Sequence, residues 1–331
     1  LQPMTPPLQV APGRAFPYTH LAVTAWIRTP EALAQLARAL ASGRAFGLDT
    51  ESDSLFHHFE KVCLVQIASE DGDCHLVDTL VLRDLSPLAP LMADPAIVKV
   101  LHGADYDVTT LKRDFGLHFA SLFDTMIAAR LLGRPALGLA AVAREELGVS
   151  LSKDNQKDDW SRRPLSPQQE AYAAADVAHL VALERRLTRQ LESLGRLDWL
   201  REECEAVAAL APASRRREAD AYLSIKGARR LPPRALAALR ELVAWREQRA
   251  EQIDLPPFKI LGNEALLRLA ALPADARLAG VLSPRLRSRE TEIREALARA
   301  HALDEAELPL LPRSPRPILP EPVSRRCARL K

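Results

Sequence analysis

Cysteine is scarce in this chain, with four in 331 residues. Cys63, Cys74, Cys204 and Cys327 form no CxxC pair and no other metal-ligand spacing. That excludes a thiolate metal site or a disulfide scaffold as the basis of the fold. If Asp71-Gly72 turns a tight hairpin, Cys74 faces Ser69 rather than Cys63, and no disulfide joins the two. Apolar runs are short as well, and none approaches the ~20 residues that span a bilayer. Residues 1–17 are proline-rich and lack the charged-then-apolar order of a secretion signal. A cytoplasmic protein with no membrane partner is the expectation. No internal repeat of the solenoid type is present.

What is present is ordinary in amount and uneven in placement. The hydrophobic share of 47% and charged share of 27% suit a globular protein, and the length suits two domains. The net charge of +2 conceals an asymmetry. Residues 1–214 carry 21 Lys/Arg against 28 Asp/Glu, and residues 215–331 carry 24 against 15. An acidic half able to hold cations, joined to a basic half, points to a polyanionic partner such as nucleic acid.

Local patterns divide the chain further. Residues 1–20 read as a flexible tail. Thr29-Pro30-Glu31 starts a helix over 31–41, with Leu33, Leu36 and Leu40 at helical spacing. Strands follow at 45–49, 62–68 and 75–77, the last two joined by the Glu70-Asp71-Gly72-Asp73 turn. Helix and strand then alternate: helix 85–92, strand 97–101, helix 107–115, a short strand at Leu122-Phe123 and a helix to Leu132. From Ala136 onward only helices are expected, at 139–147 and in one long stretch over 167–194. This order predicts an α/β fold, a mixed sheet flanked by helices. A junction at 206–217 separates it from a small all-α bundle over 218–300, built of helices at 219–226, 233–251, 263–272 and 288–300. Residues 301–331 form a proline-rich, disordered tail.

Acidic residues carry the chemical signal. Asp49 and Glu51 end the first strong strand two residues apart, hence on one face. Two such carboxylates repel, and a fold tolerates them where a cation neutralises the pair. Asp105 and Asp107 open the helix after strand 97–101, at a strand end where binding sites lie. Either could cap that helix; Asp105 is the better cap and Asp107 the better candidate for chemistry. Tyr172 and Asp176 are four residues apart on one helical face, with alanines between them. Read singly, each of these has a plain alternative, as loop acid, cap or solvated helix residue.

Taken in order, Asp49-x-Glu51, then Asp107, then Tyr172-x-x-x-Asp176 resembles the motif set of the DEDDy 3′–5′ exonuclease family. His102 five residues before Asp107 and the strand at 62–68 add to the likeness, and residues 153–165 resemble the segment before the third motif in ribonuclease D. The resemblance covers residues 21–205 and implies an RNase H-like fold. In the basic half, residues 221–227, 236–240, 245–247 and 254–266 resemble an HRDC domain, an accessory nucleic-acid-binding module.

The resemblance implies a metal-dependent 3′–5′ exoribonuclease that works with two divalent ions, Mg²⁺ or Mn²⁺, on tRNA precursors or other structured RNA. Asp49 would bridge the ions, Glu51 and Asp176 would complete the first site, Asp107 would support the second, and Tyr172 would orient the attacking water. Gln156, Trp160 and Arg163 are candidate contacts to the 3′-terminal nucleotides. Arg215–Arg217, Lys226, Arg229 and Arg230 are candidate backbone contacts. Asp124 reads as a helix cap that also matches a position near the family's active site. A Werner-type DNA exonuclease shares related motifs, and a non-catalytic nucleic-acid binder is the reading from another class. Retention of all four acids and Tyr172 argues against the latter.

Overall fold

The computed structural model describes residues 23–152, 154–214, 220–273, 275–282 and 284–311. The chain divides into two compact units, Leu1–Ser214 and Arg215–Lys331. The tail expected over 1–20, Arg215–Arg217 and the proline-rich stretch beyond residue 311 lie outside the described residues.

A six-stranded mixed sheet forms the first unit's centre, in the order β1-β4-β3-β2-β5-β6. Its strands are β1 (Val23–Ile27), β2 (Ala45–Ser52), β3 (Val62–Ala68), β4 (Cys74–Val77), β5 (Val98–Leu101) and β6 (Leu122–Asp124). The meander β2-β3-β4 is antiparallel, while β1 joins β4, β5 joins β2 and β6 joins β5 in parallel. Every residue of β3 is buried, which explains its almost unbroken apolar run.

Helices α1 (Pro30–Leu40), α2 (Ala89–Ala93) and α3 (Asp105–Phe115) follow in chain order. The Ala32 N–H donates to Thr29 Oγ1 at 3.2 Å, and Leu33, Leu36 and Leu40 face the core, as the sequence predicts. Helices α4 (Thr125–Leu131), α5 (Leu139–Leu147), α6 (Pro167–Ala178), α7 (Leu180–Ser193) and α8 (Leu197–Ala208) complete the unit.

Several expectations need correction. The strand β1 is not among the expected strands, because a short edge strand draws its order from its neighbour β4. The single helix over 167–194 is two, broken at His179, where the sequence carries no glycine or proline to mark it. The junction expected from residue 206 begins later, since α8 runs to Ala208. Finally, Cys74 pairs with Ala68 rather than facing Ser69, and no disulfide joins the buried Cys63, Cys74 and Cys204.

The second unit is helical. Its long helix α9 (Pro233–Ile253) packs against α11 (Asn263–Ala270) and α12 (Glu290–His301), with the short α10 (Pro257–Ile260) between. Leu236, Leu239, Leu242, Leu266, Leu269 and Ile293 form its core. The helix expected at 219–226 is a 3-10 turn, Ala221–Ser224, because Gly227 lies at φ +104° just beyond it. Among the described residues no helix is long and apolar enough to cross a membrane.

Candidate active site

Strand β2 delivers Asp49 and Glu51 to one end of the sheet. Gly47 lies on the same face two residues earlier, and a Cβ there would sit 2.8 Å from the Val177 carbonyl oxygen and 3.2 Å from Leu180 Cβ. Glycine therefore lets the α6–α7 corner close onto β2, and that contact brings Asp176 beside Asp49. Helix α6 itself starts from a capping box: the Gln169 N–H donates to Ser166 Oγ at 3.2 Å, and the Ser166 N–H donates to Gln169 Oε1 at 2.9 Å. One turn separates Tyr172 from Asp176, and the Tyr172 hydroxyl donates to the Asp176 carboxylate.

The result is a group of three carboxylates, Asp49, Glu51 and Asp176, whose oxygens lie within 4.8 Å of one another. They line a cavity of about 280 Å³ with Tyr172, His102, Gln156 and the residues Gly138, Leu139 and Ala140 that lead into α5. Asp107 stands next to this group rather than in it. Its side chain is buried at the start of α3 and accepts a short hydrogen bond from Thr50 Oγ1.

The electrostatics follow from that crowding. Burial, then the charges of Asp107, Asp176 and Glu51, hold the Asp49 carboxyl well above its usual range. Burial and the neighbouring acids push Glu51 up to about 9. Burial raises Asp107 to about 7 and Asp176 to about 6. Tyr172 is raised as well, first by burial and then by Asp176 and Glu51, so its phenol stays neutral and acts as a donor. The charged neighbours acting on Asp49 and Glu51 are all carboxylates. An all-oxygen set of clustered acids fits a hard divalent cation.

Two of the candidate nucleotide contacts are employed elsewhere. Trp160 is 1% exposed, packed with Leu64, Leu76, Leu165 and Ala173, its ring centroid 6.0 Å from that of Tyr172. A ring in that position supports Tyr172 from below and cannot stack on a base. Arg163 is held by the fold: its Nε and Nη2 donate to the two oxygens of Asp78, each at 2.9 Å, and Nη2 also donates to the Cys63 carbonyl at 2.8 Å. Both expectations are corrected for the same reason, because cation and aromatic types do not reveal burial. Gln156 does line the cavity. Lys226, Arg229 and Arg230 are exposed in the second unit.

Asp105 is not the cap of α3. No side chain caps α3; instead Asp124 accepts from the amides of Gly103 and Ala104, just before α3, at 3.0 and 2.8 Å, and caps α4 by accepting from Met126 and Ile127 at 2.8 and 3.2 Å. One carboxylate thus ties the start of α3, with Asp107, to the start of α4. The sequence reading also missed the wall at 138–140, which carries no polar side chain to signal it, and Tyr106, whose hydroxyl lies 2.8 Å from Ser52 Oγ beside the acids.

Comparison with known proteins agrees with this geometry. The sequence pattern of the family described as 3′–5′ exonuclease matches residues 24–192, and that of the HRDC domain matches 235–277. Ribonuclease D of Gluconacetobacter diazotrophicus is 36% identical, the match covering 86% of this chain and 73% of that protein. Ribonuclease D of Pseudomonas paraeruginosa is also 36% identical, over 89% and 79%. The chain belongs to the ribonuclease D family. Among solved structures, Escherichia coli RNase D, an exoribonuclease involved in structured RNA processing, superposes with a TM-score of 0.70 at 31% identity, covering 86% of this chain and 77% of that one. The catalytic core of RRP6 from Trypanosoma brucei gives 0.69 at 27% identity, over 84% and 80%. As a ribonuclease D relative, the chain is a 3′–5′ exoribonuclease, and its acidic cluster fits the divalent-metal dependence of such an enzyme.

Proposed function

We propose that Asp49, Glu51, Asp107 and Asp176 hold two divalent ions, Mg²⁺ or Mn²⁺, and that Tyr172 orients water for hydrolysis of the last phosphodiester of an RNA. The convergence of Asp49, Glu51 and Asp176 within 4.8 Å carries this reading. Bound divalent cations supply Lewis-acid activation of the attacking water and offset charge on the phosphate and leaving oxygen. Asp49 and Glu51 arrive on a strand, and Asp176 on a helix capped at its base, so their positions are fixed before substrate arrives. Tyr172 is kept neutral by burial and then by its acidic neighbours and offers a hydrogen bond, so it positions water rather than removing its proton. Water attacks phosphorus, the P–O3′ bond breaks, and a nucleoside 5′-monophosphate leaves a new 3′-hydroxyl.

The cavity of about 280 Å³ has an apolar side at Leu139, Ala140 and Leu180 and a polar one at Gln156 and His102, which suits one terminal nucleotide. The exposed Lys226, Arg229 and Arg230 suit phosphates further along the strand. The relatives' names favour RNA over DNA, and that of the Escherichia coli enzyme favours structured RNA. A time course on 5′-labelled RNA and DNA of matched sequence tests this reading. A descending ladder on RNA alone, dependent on Mg²⁺ or Mn²⁺, is expected; equal ladders on both would favour a DNA exonuclease, and persistence of the ladder in chelator would overturn the metal reading.

A further inference from the structure

Strand β3 reads Val-Cys-Leu-Val-Gln-Ile-Ala, and all seven residues are buried. Gln66 is its single amide-bearing residue. It is fully buried, and neither Nε2 nor Oε1 has a hydrogen-bond partner. A carboxamide presents two donors and an acceptor, and burying these unmet is costly. A strand of this composition needs an apolar residue there, so the amide calls for a partner that the sheet does not supply.

Register identifies the direction in which that partner lies. Gln66 stands directly opposite Asp49 in the β2–β3 ladder, and opposed residues of an antiparallel pair point to the same face. Leu64, on that face, packs with Trp160 and Ala173, with Tyr172 against them. Gln66 therefore lies beside the strand that carries Asp49 and Glu51, on the side covered by the helix that carries Tyr172 and Asp176.

We infer that Gln66 is a positioning residue of the carboxylate centre, its amide bonding Asp49, directly or through one water, when a divalent cation draws that carboxylate into its binding geometry. The inference rests on the reading of Asp49 as a metal ligand. Groups that orient a ligating carboxylate in this way typically contribute 10- to 100-fold in metal affinity. The substrate need not touch Gln66 for this to hold.

The test is a calorimetric Mn²⁺ titration of the full-length protein without RNA, comparing wild type with Gln66→Met. Methionine keeps the length of the side chain and removes its polar atoms. The Mn²⁺ affinity is expected to fall about 10- to 100-fold, while the metal-free melting temperature holds or rises because no unmet amide remains. Wild-type affinity in Gln66→Met would overturn the inference. Asp49→Asn, titrated alongside, separates the two levels: wild-type binding by that variant would overturn the metal site itself. Should Gln66→Met fail to fold, the Gln66 side-chain ¹⁵N amide signals of wild type supply the reading. They are expected to shift on addition of Mg²⁺, and unmoved signals would overturn the proposal.

Discussion

At the residue scale, the site is a set of acids held in a protonation state that their free forms would not adopt. Glu51 at about 9, Asp107 at about 7 and Asp176 at about 6 are raised mainly by burial. In the metal-free protein the folded state thus keeps protons that the unfolded chain releases above its ordinary carboxylate range. Stability then falls as pH rises, from about 4.5 through 9, because the unfolded state binds fewer protons there. A divalent cation replaces those protons, so its stabilising effect should grow with pH. Melting curves in chelator and in Mn²⁺ between pH 5.5 and 8.5 check this: the gap between them is expected to widen upward, and a constant gap would contradict it. Asp49, Glu51, Asp107, Tyr172 and Asp176 were all visible in the sequence because strand and helix periodicities are local. The burial of Trp160 under Leu64 and Leu76 and the engagement of Arg163 by Asp78 were not, since these partners lie more than 80 residues away.

At the element scale, the site depends on how closely α6 and α7 approach β2. Gly47 is the point of contact, with Val177 O 2.8 Å from where a Cβ would stand. Gly47→Ala should displace the helix that bears Tyr172 and Asp176 from the strand that bears Asp49. Overpacking of this kind costs about 1–3 kcal/mol, so a lower unfolding free energy and a larger loss in kcat than in KM are expected. Wild-type kcat in a destabilised Gly47→Ala would show that the approach serves packing alone. The order of strands and helices is mostly apparent from turn and cap residues such as Asp71-Gly72 and Thr29. The break at His179 is not, because no residue type there opposes a helix; packing of Leu180 on Gly47, a contact remote in sequence, sets the bend.

At the scale of the whole molecule, an acidic catalytic unit is joined to a basic helical one. Nucleic acid, itself anionic, gains little from the acidic surface of the first, so the second is suited to hold substrate. Lys226, Arg229 and Arg230 are exposed; replacing all three with alanine should leave the fold intact and reduce the slope of log K against log salt for single-stranded RNA by about 2. Filter binding at several salt concentrations measures that slope, and an unchanged slope would assign RNA holding to other residues. The charge asymmetry that predicts this is plain in the sequence, whereas the faces that present the charges emerge only from the fold.

The claim on which the rest depends is that Asp49, Glu51 and Asp176 form one divalent-metal centre that hydrolyses RNA. Cleavage of a 5′-labelled RNA by Asp176→Asn, in Mn²⁺ and with RNA affinity measured in parallel, tests it most directly. A loss of about 10³-fold in rate, roughly 4 kcal/mol of barrier, is expected, with RNA affinity near wild type. Cleavage at the wild-type rate would contradict it.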